Sequence, residues 1–229
     1  MNKADENSLP TTPEGLALRF GAHGLELTDG SMAICGDFAR MASRVKPSNV
    51  QRELIVRAAK VKRADGEHTC RPTAIDATAG LGEDSFLLAA AGFDVRLYER
   101  NPVIAALLRD ALERALDTPE LADIATHMQL IEGESTEALP HLDKAPDVVL
   151  LDPMFPSRRK DAAVKKKLQL LQRLESPCED EEALLEAAFA AHPRKIVVKR
   201  PAKGPYLAGR KPDYSLPGKA VRFDCFTVV

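Results

Sequence analysis

The most regular feature of the chain is an alternation of short apolar runs with amphipathic stretches beyond about residue 70. The runs "TAIDAT", "FDVRLYE", "MQLIEG", "DVVLLD" and "RKIVVKR" have the length and apolar content of buried strands. The stretches "EDSFLLAAA" and "NPVIAALLRDALERAL" between them have helical spacing, and the final "AVRFDCFTV" alternates like an antiparallel strand. Strands that alternate with helices predict crossover connections, and therefore an α/β fold with a mostly parallel sheet.

The N-terminal part has a different pattern. "LALRFGAHGLELT" alternates on both sides of "GAHG", which predicts a β-hairpin. The basic stretch "MASRVKPSNVQRELIVRAAKVK" follows it and predicts a helix that is capped by Ser48 or Asn49 and ends near Val61.

The 229 residues are enough for one domain with a small appendage. "RADGEHTCRP" has the composition of a loop and predicts a soft boundary near Asp65. We therefore expect a hairpin and basic helix extension at 1–65 and the main domain at 66–229.

Composition excludes several classes of protein. No apolar run approaches the roughly 18 residues that cross a bilayer, and the polar N-terminus does not look like a secretory signal. The four cysteines are scattered without a CxxC pair, which argues against a zinc site or a disulfide framework. We expect a cytoplasmic protein without a metal or a membrane partner.

The net charge of −2 hides strong patterning. Lys and Arg outnumber Asp and Glu by eight to one in residues 40–63, by seven to one in 157–173 and by nine to two in 194–229. Three such blocks could form one basic face for a polyanion, or they could be three separate solvated surfaces.

The segment after the first strand of the alternation carries a glycine turn. In parallel sheets ligands bind beyond the carboxyl ends of the strands, and "DATAGLGED" places Asp76, Gly80, Gly82, Glu83 and Asp84 there. Glycines between a strand and a helix let the backbone approach a ligand closely. A serine occupies the position of the third glycine in a dinucleotide fingerprint, and two carboxylates would repel a pyrophosphate. The pattern suits a cationic or hydroxyl-rich ligand better.

The next two strand ends extend this site. Glu99 lies about 20 residues beyond the glycine turn, where an acidic residue commonly accepts both ribose hydroxyls of an adenosine. That spacing is shared by NAD and S-adenosylmethionine and does not choose between them. After the third strand, Glu134 and Ser135 could hydrogen-bond an adenine edge, or Ser135 could simply cap the next helix.

The fourth strand ends in "DPMFP", followed by a basic run. Asp152 and the Pro153 carbonyl are candidate acceptors for the hydrogens of an amine, and Phe155 offers a face for stacking on a base. Placed downstream of an adenosine-type site, this set indicates methylation of an exocyclic base amine. The alternative is a proline-rich turn with Phe155 in the core.

Taken together, "DATAGLGEDSFLLAAAGFDVRLYERNPVIAALL", "DVVLLDPMFPSRRKDAAVKKK" and "KIVVKRP" resemble the ribosomal RNA small subunit methyltransferase J family. The resemblance covers the chain from about Thr73 to its end, and the N-terminal part more loosely. It implies a Rossmann-like class I methyltransferase fold and the cofactor S-adenosyl-L-methionine. It also implies a reaction, transfer of methyl to N2 of a guanine near the 3′ end of 16S rRNA, and a partner, the 16S rRNA or the small ribosomal subunit.

The resemblance also implies which residues contact the cofactor. In this chain they are Glu83, Asp84, Glu99, Arg100, Glu134, Ser135 and Asp152. The chain departs from the family at Glu83, where a basic residue is usual, and at Glu134, where a small residue is usual.

Three other functions remain compatible with the residues alone. "DPMF" also resembles the motif of adenine-N6 methyltransferases. The glycine turn with Glu99 could serve an NAD-dependent oxidoreductase, although no general acid set is evident. The fold could also be a non-catalytic RNA-binding protein, against which the intact Asp152 and Glu99 argue.

Overall fold

The computed structural model describes residues 9–62, 70–154, 169–174 and 180–228. Ten strands lie within them. These are β1 (Ala17–Gly21), β2 (Gly24–Thr28), β3 (Ala33–Ile34), β4 (Thr73–Asp76), β5 (Asp94–Glu99), β6 (Met128–Glu132), β7 (Val148–Leu151), β8 (Lys195–Pro201), β9 (Tyr214–Pro217) and β10 (Val221–Thr227). The helices are α1 (Pro47–Val50), α2 (Leu54–Ala59), α3 (Glu83–Ala90), α4 (Pro102–Leu116), α5 (Pro119–Ala125), α6 (Ser135–Ala138) and α7 (Glu181–Ala190).

The central sheet has seven strands in the order β6-β5-β4-β7-β8-β10-β9. Strands β4 to β8 pair in parallel, whereas β10 is antiparallel to both β8 and β9. The predicted mostly parallel sheet with a terminal antiparallel strand is confirmed. From β4 the chain moves outward through β5 to β6 and then returns to β7 on the other side of β4. This reversal leaves a crevice beyond the carboxyl ends of β4 and β7.

The strand next to this crevice is buried on both faces. Along β7, Val148 and Leu150 join one core, with helices α2 to α5, while Val149 and Leu151 join the other, with α6 and α7. Successive side chains of a strand point to opposite faces. The uninterrupted apolar run "VVLL" is therefore what a central strand between two helical layers requires.

The N-terminal hairpin, predicted from its alternation, is confirmed as β1 and β2 in full antiparallel register. With β3 it covers the outer side of α4, where Leu25 and Leu27 pack against Leu107. The backbone N–H of Leu25 also donates to Asp110 of α4, at 3.0 Å. The predicted boundary near Asp65 lies outside the described residues, and the division into two parts stays a prediction.

Two elements differ from the expectations. The single basic helix is two short helices, α1 and α2. Glu53 has non-helical backbone angles and occupies the N-cap position of the second helix, and its carboxylate receives two hydrogen bonds from Arg44. Neither Ser48 nor Asn49 caps it, because Pro47 takes the first helical position and moves the cap to Lys46. Strand β9 was not predicted, since its proline-flanked sequence looks like a loop. Its place at the sheet edge tolerates that proline.

In the described part of the chain, no helix combines the length and the apolar character needed to cross a membrane.

Candidate active site

The crevice is organised by hydrogen bonds between the segments that follow β4 and β7. The N–H of Ala77 donates to the Leu150 carbonyl at 3.0 Å. The N–H of Asp152 donates to the Thr78 hydroxyl oxygen at 2.6 Å. These bonds hold the predicted catalytic carboxylate directly beside the glycine turn, so the two motifs form one site.

The glycine turn has the backbone conformation that its sequence predicts. Gly82 has φ +74° and caps α3, and an added Cβ would meet Leu108 at 2.8 Å. Gly80 also has a positive φ, +56°, but a Cβ there would meet nothing within 4 Å. Gly82 is therefore needed for packing, whereas the space over Gly80 is open and leaves room for a ligand against the backbone.

Glu99 lies under this turn and is only 5% exposed. Its two carboxylate oxygens accept backbone N–H groups, from Gly80 at 2.9 Å and from Asn101 at 2.8 Å. Asn101 in turn caps α4 through its side chain. These two bonds fix the orientation of the Glu99 carboxylate, and a carboxylate is a suitable acceptor for ligand hydroxyl groups.

Asp76, at the end of β4, is 3% exposed. It accepts the Ser85 hydroxyl at 2.6 Å and the Thr78 N–H at 3.1 Å. Burial raises the pKa of Asp76 to about 7, and these two hydrogen bonds only partly oppose the rise. The predicted site residue is therefore a buried support of the turn that comes near titration at neutral pH.

The strongest electrostatic feature of the site is an ion triad. The ammonium of Lys199, near the end of β8, lies 2.7 Å from Asp84 Oδ2 and 2.9 Å from Asp152 Oδ2. Burial alone would lower the pKa of Lys199, but Asp152 and Asp84 outweigh it and raise that pKa. Burial raises the pKa of Asp152, and Lys199 opposes this rise. The lysine thus holds Asp152 in place and favours its charged form.

Lys199 was not among the predicted site residues. It could have been included, because "KIVVKRP" is the fifth parallel strand. Its carboxyl end lies at the same edge of the sheet as the ends of the other four, whose residues were predicted to form the site.

The end of β6 lies on the far side of Glu99, whose carbonyl accepts the Gly133 N–H at 3.0 Å. Arg100 and Glu134 approach each other at 3.3 Å, and both are partly exposed. Ser135 is buried at 3% exposure. It does not cap α6, because the cap position belongs to Glu134 and Ser135 is already the first helical residue. The capping alternative is wrong, and a contact with adenine stays a prediction.

The remaining predicted site residues are Glu83, Pro153 and Phe155. Glu83 is exposed in the first turn of α3, where a negative charge is favourable, and its contact with the cofactor stays a prediction. Pro153 is buried beside Asp152. Phe155 lies outside the described residues, as does most of the basic run after it.

These groups fit S-adenosylmethionine. Glu99 can accept the two ribose hydroxyls, and the open backbone over Gly80 gives the ligand access. Two carboxylates, of Asp84 and Asp152, share one cation, Lys199, and this excess of negative charge suits a ligand that carries a sulfonium and an ammonium group. Among the described residues no group of three or more His, Cys, Asp or Glu side chains could hold a metal ion.

The sequence is similar to those of known proteins over most of its length. A family model described as "Putative SAM-dependent methyltransferase" matches residues 4–228. Ribosomal RNA small subunit methyltransferase J from Thioalkalivibrio sulfidiphilus is 42% identical over 97% of this chain and 90% of its own length. The protein of that name from Pseudomonas aeruginosa is 43% identical over 92% and 81%.

A solved structure extends the likeness to three dimensions. The crystal structure of a SAM-dependent methyltransferase from Neisseria gonorrhoeae is 34% identical, with a TM-score of 0.74 over 97% of this chain and 89% of that one. The predicted Rossmann-like methyltransferase fold and the cofactor S-adenosyl-L-methionine are confirmed. The chain belongs to the ribosomal RNA small subunit methyltransferase J family of S-adenosylmethionine-dependent methyltransferases.

Proposed function

We propose that this protein methylates the exocyclic N2 amine of a guanine in 16S rRNA. The observation that carries the proposal is the carboxylate of Asp152. It stands at the end of β7, joined to the glycine turn through Thr78 and to β8 through Lys199. The relatives' names, which specify small-subunit ribosomal RNA, support the substrate.

The chain acts mainly by placing a weak nucleophile. The lone pair of a guanine N2 amine is delocalised into the ring, so its direction must be set by acceptors for its two hydrogens. Asp152 and the Pro153 carbonyl are those acceptors, and Phe155 stacks on the base. When bound, S-adenosylmethionine supplies a methyl group that is already strongly electrophilic. Correct placement of the amine is therefore the main contribution that the protein has to make.

Asp152 also accounts for the proton. As the new N–C bond forms and the S–C bond breaks, the amine must lose one hydrogen, and the carboxylate that holds this hydrogen can accept it. Burial works against the charged form of Asp152, and Lys199 partly offsets this effect. Lys199 is thus a positioning residue that keeps the acceptor ionised and oriented.

The cofactor side has its own roles. Glu99 would hold the ribose, and Asp84 would contact the cationic part of the cofactor. A contact of Arg100, Glu134 and Ser135 with the adenine end completes the set. A substrate in the small ribosomal subunit places the protein in the cytoplasm.

The direct test is to map the methylated nucleotide. Small subunits and deproteinised 16S rRNA from a strain lacking the enzyme are incubated with labelled cofactor, and the RNA is digested and read by mass spectrometry. We expect N2-methylguanosine at one site. N6-methyladenosine would overturn the choice of base in favour of the adenine alternative, and absence of label in RNA would overturn the proposal.

Calorimetry adds an independent check on the cofactor. S-adenosylhomocysteine should bind, and NAD should not. Tight NAD binding would contradict the assignment of the site.

A further inference from the structure

The loop that follows β8 is exposed and yet unusually well held. We call residues 201–206 the clamped loop. The guanidinium of Arg222 donates to three of its carbonyls, those of Pro201 at 3.0 Å, Ala202 at 3.3 Å and Gly204 at 2.9 Å. A surface loop normally leaves such carbonyls to water, so the shape of this one is set by the protein itself.

A second arginine fixes the end of the clamped loop. Nε of Arg200 donates to the Pro205 carbonyl at 2.9 Å. The side chain of Arg200 is 1% exposed and pairs with Glu181 at 3.1 Å. Glu181 also accepts the N–H of Ala208, just beyond the loop, at 2.8 Å.

Arg222 is itself held rigidly. Asp224, 2% exposed, accepts from its Nε at 2.9 Å and from its Nη2 at 3.0 Å. Arg222 and Arg200 are direct partners across β10 and β8. Bidentate pairs of this kind fix the orientation of the guanidinium plane.

That plane supports an exposed aromatic ring. The guanidinium carbon of Arg222 lies 5.1 Å from the centroid of the Tyr206 ring, a cation–π contact, and Tyr206 remains 38% exposed. Tyr206 is thus a flat ring backed by a fixed cation at the end of a fixed loop. The neighbouring Lys203 is also exposed.

The clamped loop lies beside the chemistry. It starts two residues after Lys199, which touches Asp152. Because β7 and β8 are parallel neighbours, the loop leaves the sheet at the same edge as Asp152, on the side away from Glu99. Tyr206 therefore belongs to the β8 side of the site, away from the residues predicted to bind the cofactor.

We propose that Tyr206, seated on Arg222, is a stacking platform for a nucleobase of the RNA strand next to the target nucleotide, and that Lys203 contacts a phosphate of that strand. The inference rests on the proposed function, since it names how the same site holds its RNA. Stacking on an aromatic ring tolerates any base, and its strength grows when the ring is held in place beforehand.

The test compares Tyr206→Ala with Tyr206→Phe as the matched control. RNA binding is measured by fluorescence anisotropy, turnover by labelled cofactor, cofactor affinity by titration with S-adenosylhomocysteine, and folding by thermal unfolding. We expect Tyr206→Ala to weaken RNA binding and raise the KM for RNA about 10- to 100-fold. The kcat at saturating RNA and the S-adenosylhomocysteine affinity should stay unchanged, and Tyr206→Phe should behave like wild type.

A third variant separates stacking from loop support. Tyr206→Leu keeps an apolar cover on Arg222 without an aromatic face, and it should lose RNA affinity as Tyr206→Ala does. A wild-type KM in a folded Ala or Leu variant would overturn the inference, as would an equal loss in the Phe variant. The proposed function fails separately, if wild-type protein transfers no methyl to 16S rRNA.

Discussion

The two halves of the crevice satisfy their carboxylates in different ways. In the cofactor half, at the ends of β4 and β5, Glu99 and Asp76 accept backbone N–H groups and a hydroxyl. In the substrate half, around β7, β8 and β10, the carboxylates are paired with cations. Asp152 is paired with Lys199, Glu181 with Arg200, and Asp224 with Arg222.

The difference has an electrostatic consequence. Neutral donors leave the negative charge of the cofactor half uncompensated, which favours a cationic, hydroxyl-bearing ligand. Ion pairs offset much of the charge of the substrate half, although Asp152 shares Lys199 with Asp84. A polyanionic RNA therefore meets less repulsion in this half. The four predictions below test this contrast, in order of decreasing expected effect.

The largest effect is expected at Asp152, where the two halves meet. Asp152→Ala should lower kcat on the order of 10³-fold, because the amine loses its charged acceptor. Unfolding temperature and RNA affinity should change little. Initial rates with labelled cofactor measure the loss, and Asp152→Asn, which keeps the shape, is the control. Near-normal turnover of the Ala variant would remove Asp152 from the reaction.

In the cofactor half, Glu99→Ala should weaken S-adenosylhomocysteine binding. Loss of hydrogen bonds to a charged group costs about 1.5–3 kcal/mol, or roughly 10- to 150-fold in Kd. Titration calorimetry measures the change, and RNA affinity should stay at the wild-type value. Glu99→Gln is the matched control and should lose less. If RNA affinity fell as much as S-adenosylhomocysteine affinity, the two halves would not be separate in function.

In the substrate half, Lys199→Met should lower kcat about tenfold near neutral pH and move the acidic limb of the pH–rate profile to higher pH. Lys199 opposes the rise in the pKa of Asp152, so without it the ionised form of Asp152 appears only at higher pH. Lys199→Arg keeps the charge and should keep the limb in place. A limb that does not move in Lys199→Met would mean that Lys199 does not set the ionisation of Asp152.

The smallest effect is expected at Asp76 and concerns stability. Its pKa is about 7 in the folded protein and near 3.8 when unfolded. Between these values only the folded state binds the proton, so the free energy of unfolding falls as pH rises from about 4 to 7. Asp76→Asn removes this dependence and should raise the unfolding temperature at pH 8 by a few degrees, since about 1 kcal/mol corresponds to roughly 2–4 °C for a chain of this size. Unfolding temperatures measured at pH 4 and pH 8 test this prediction. An equal change between the two pH values in wild type and Asp76→Asn would contradict it.

The cofactor half was largely predictable. The glycine turn and Glu99 belong to one strand–helix–strand unit, and their spacing is a local property of the chain. The positive φ values of Gly80 and Gly82 are ones that glycine adopts without strain. Even in this half, the sequence did not predict which two backbone N–H groups donate to Glu99.

The substrate half was predicted only at Asp152 and Pro153. Lys199 is 115 residues from Asp84, and Arg222 clamps carbonyls up to 21 residues before it. No pattern in the sequence around Tyr206 predicts that the carbonyls of this segment accept hydrogen bonds from Arg200 and Arg222. Lys199, Arg200 and Arg222, which belong to the basic block at 194–229, pair with carboxylates.

The alternation of strands and helices, the glycine turn and the acidic residues at the strand ends can be predicted from the sequence, because periodicity and backbone preference act over a few neighbouring residues. Which of those strand ends become neighbours depends on the folded sheet. The pairing of β7 with β8, and of β8 with β10, brought Lys199 to Asp152 and Arg222 to the clamped loop. Charged groups so far apart in the chain interact only after the sheet has closed the distance between them, and no local pattern encodes that pairing.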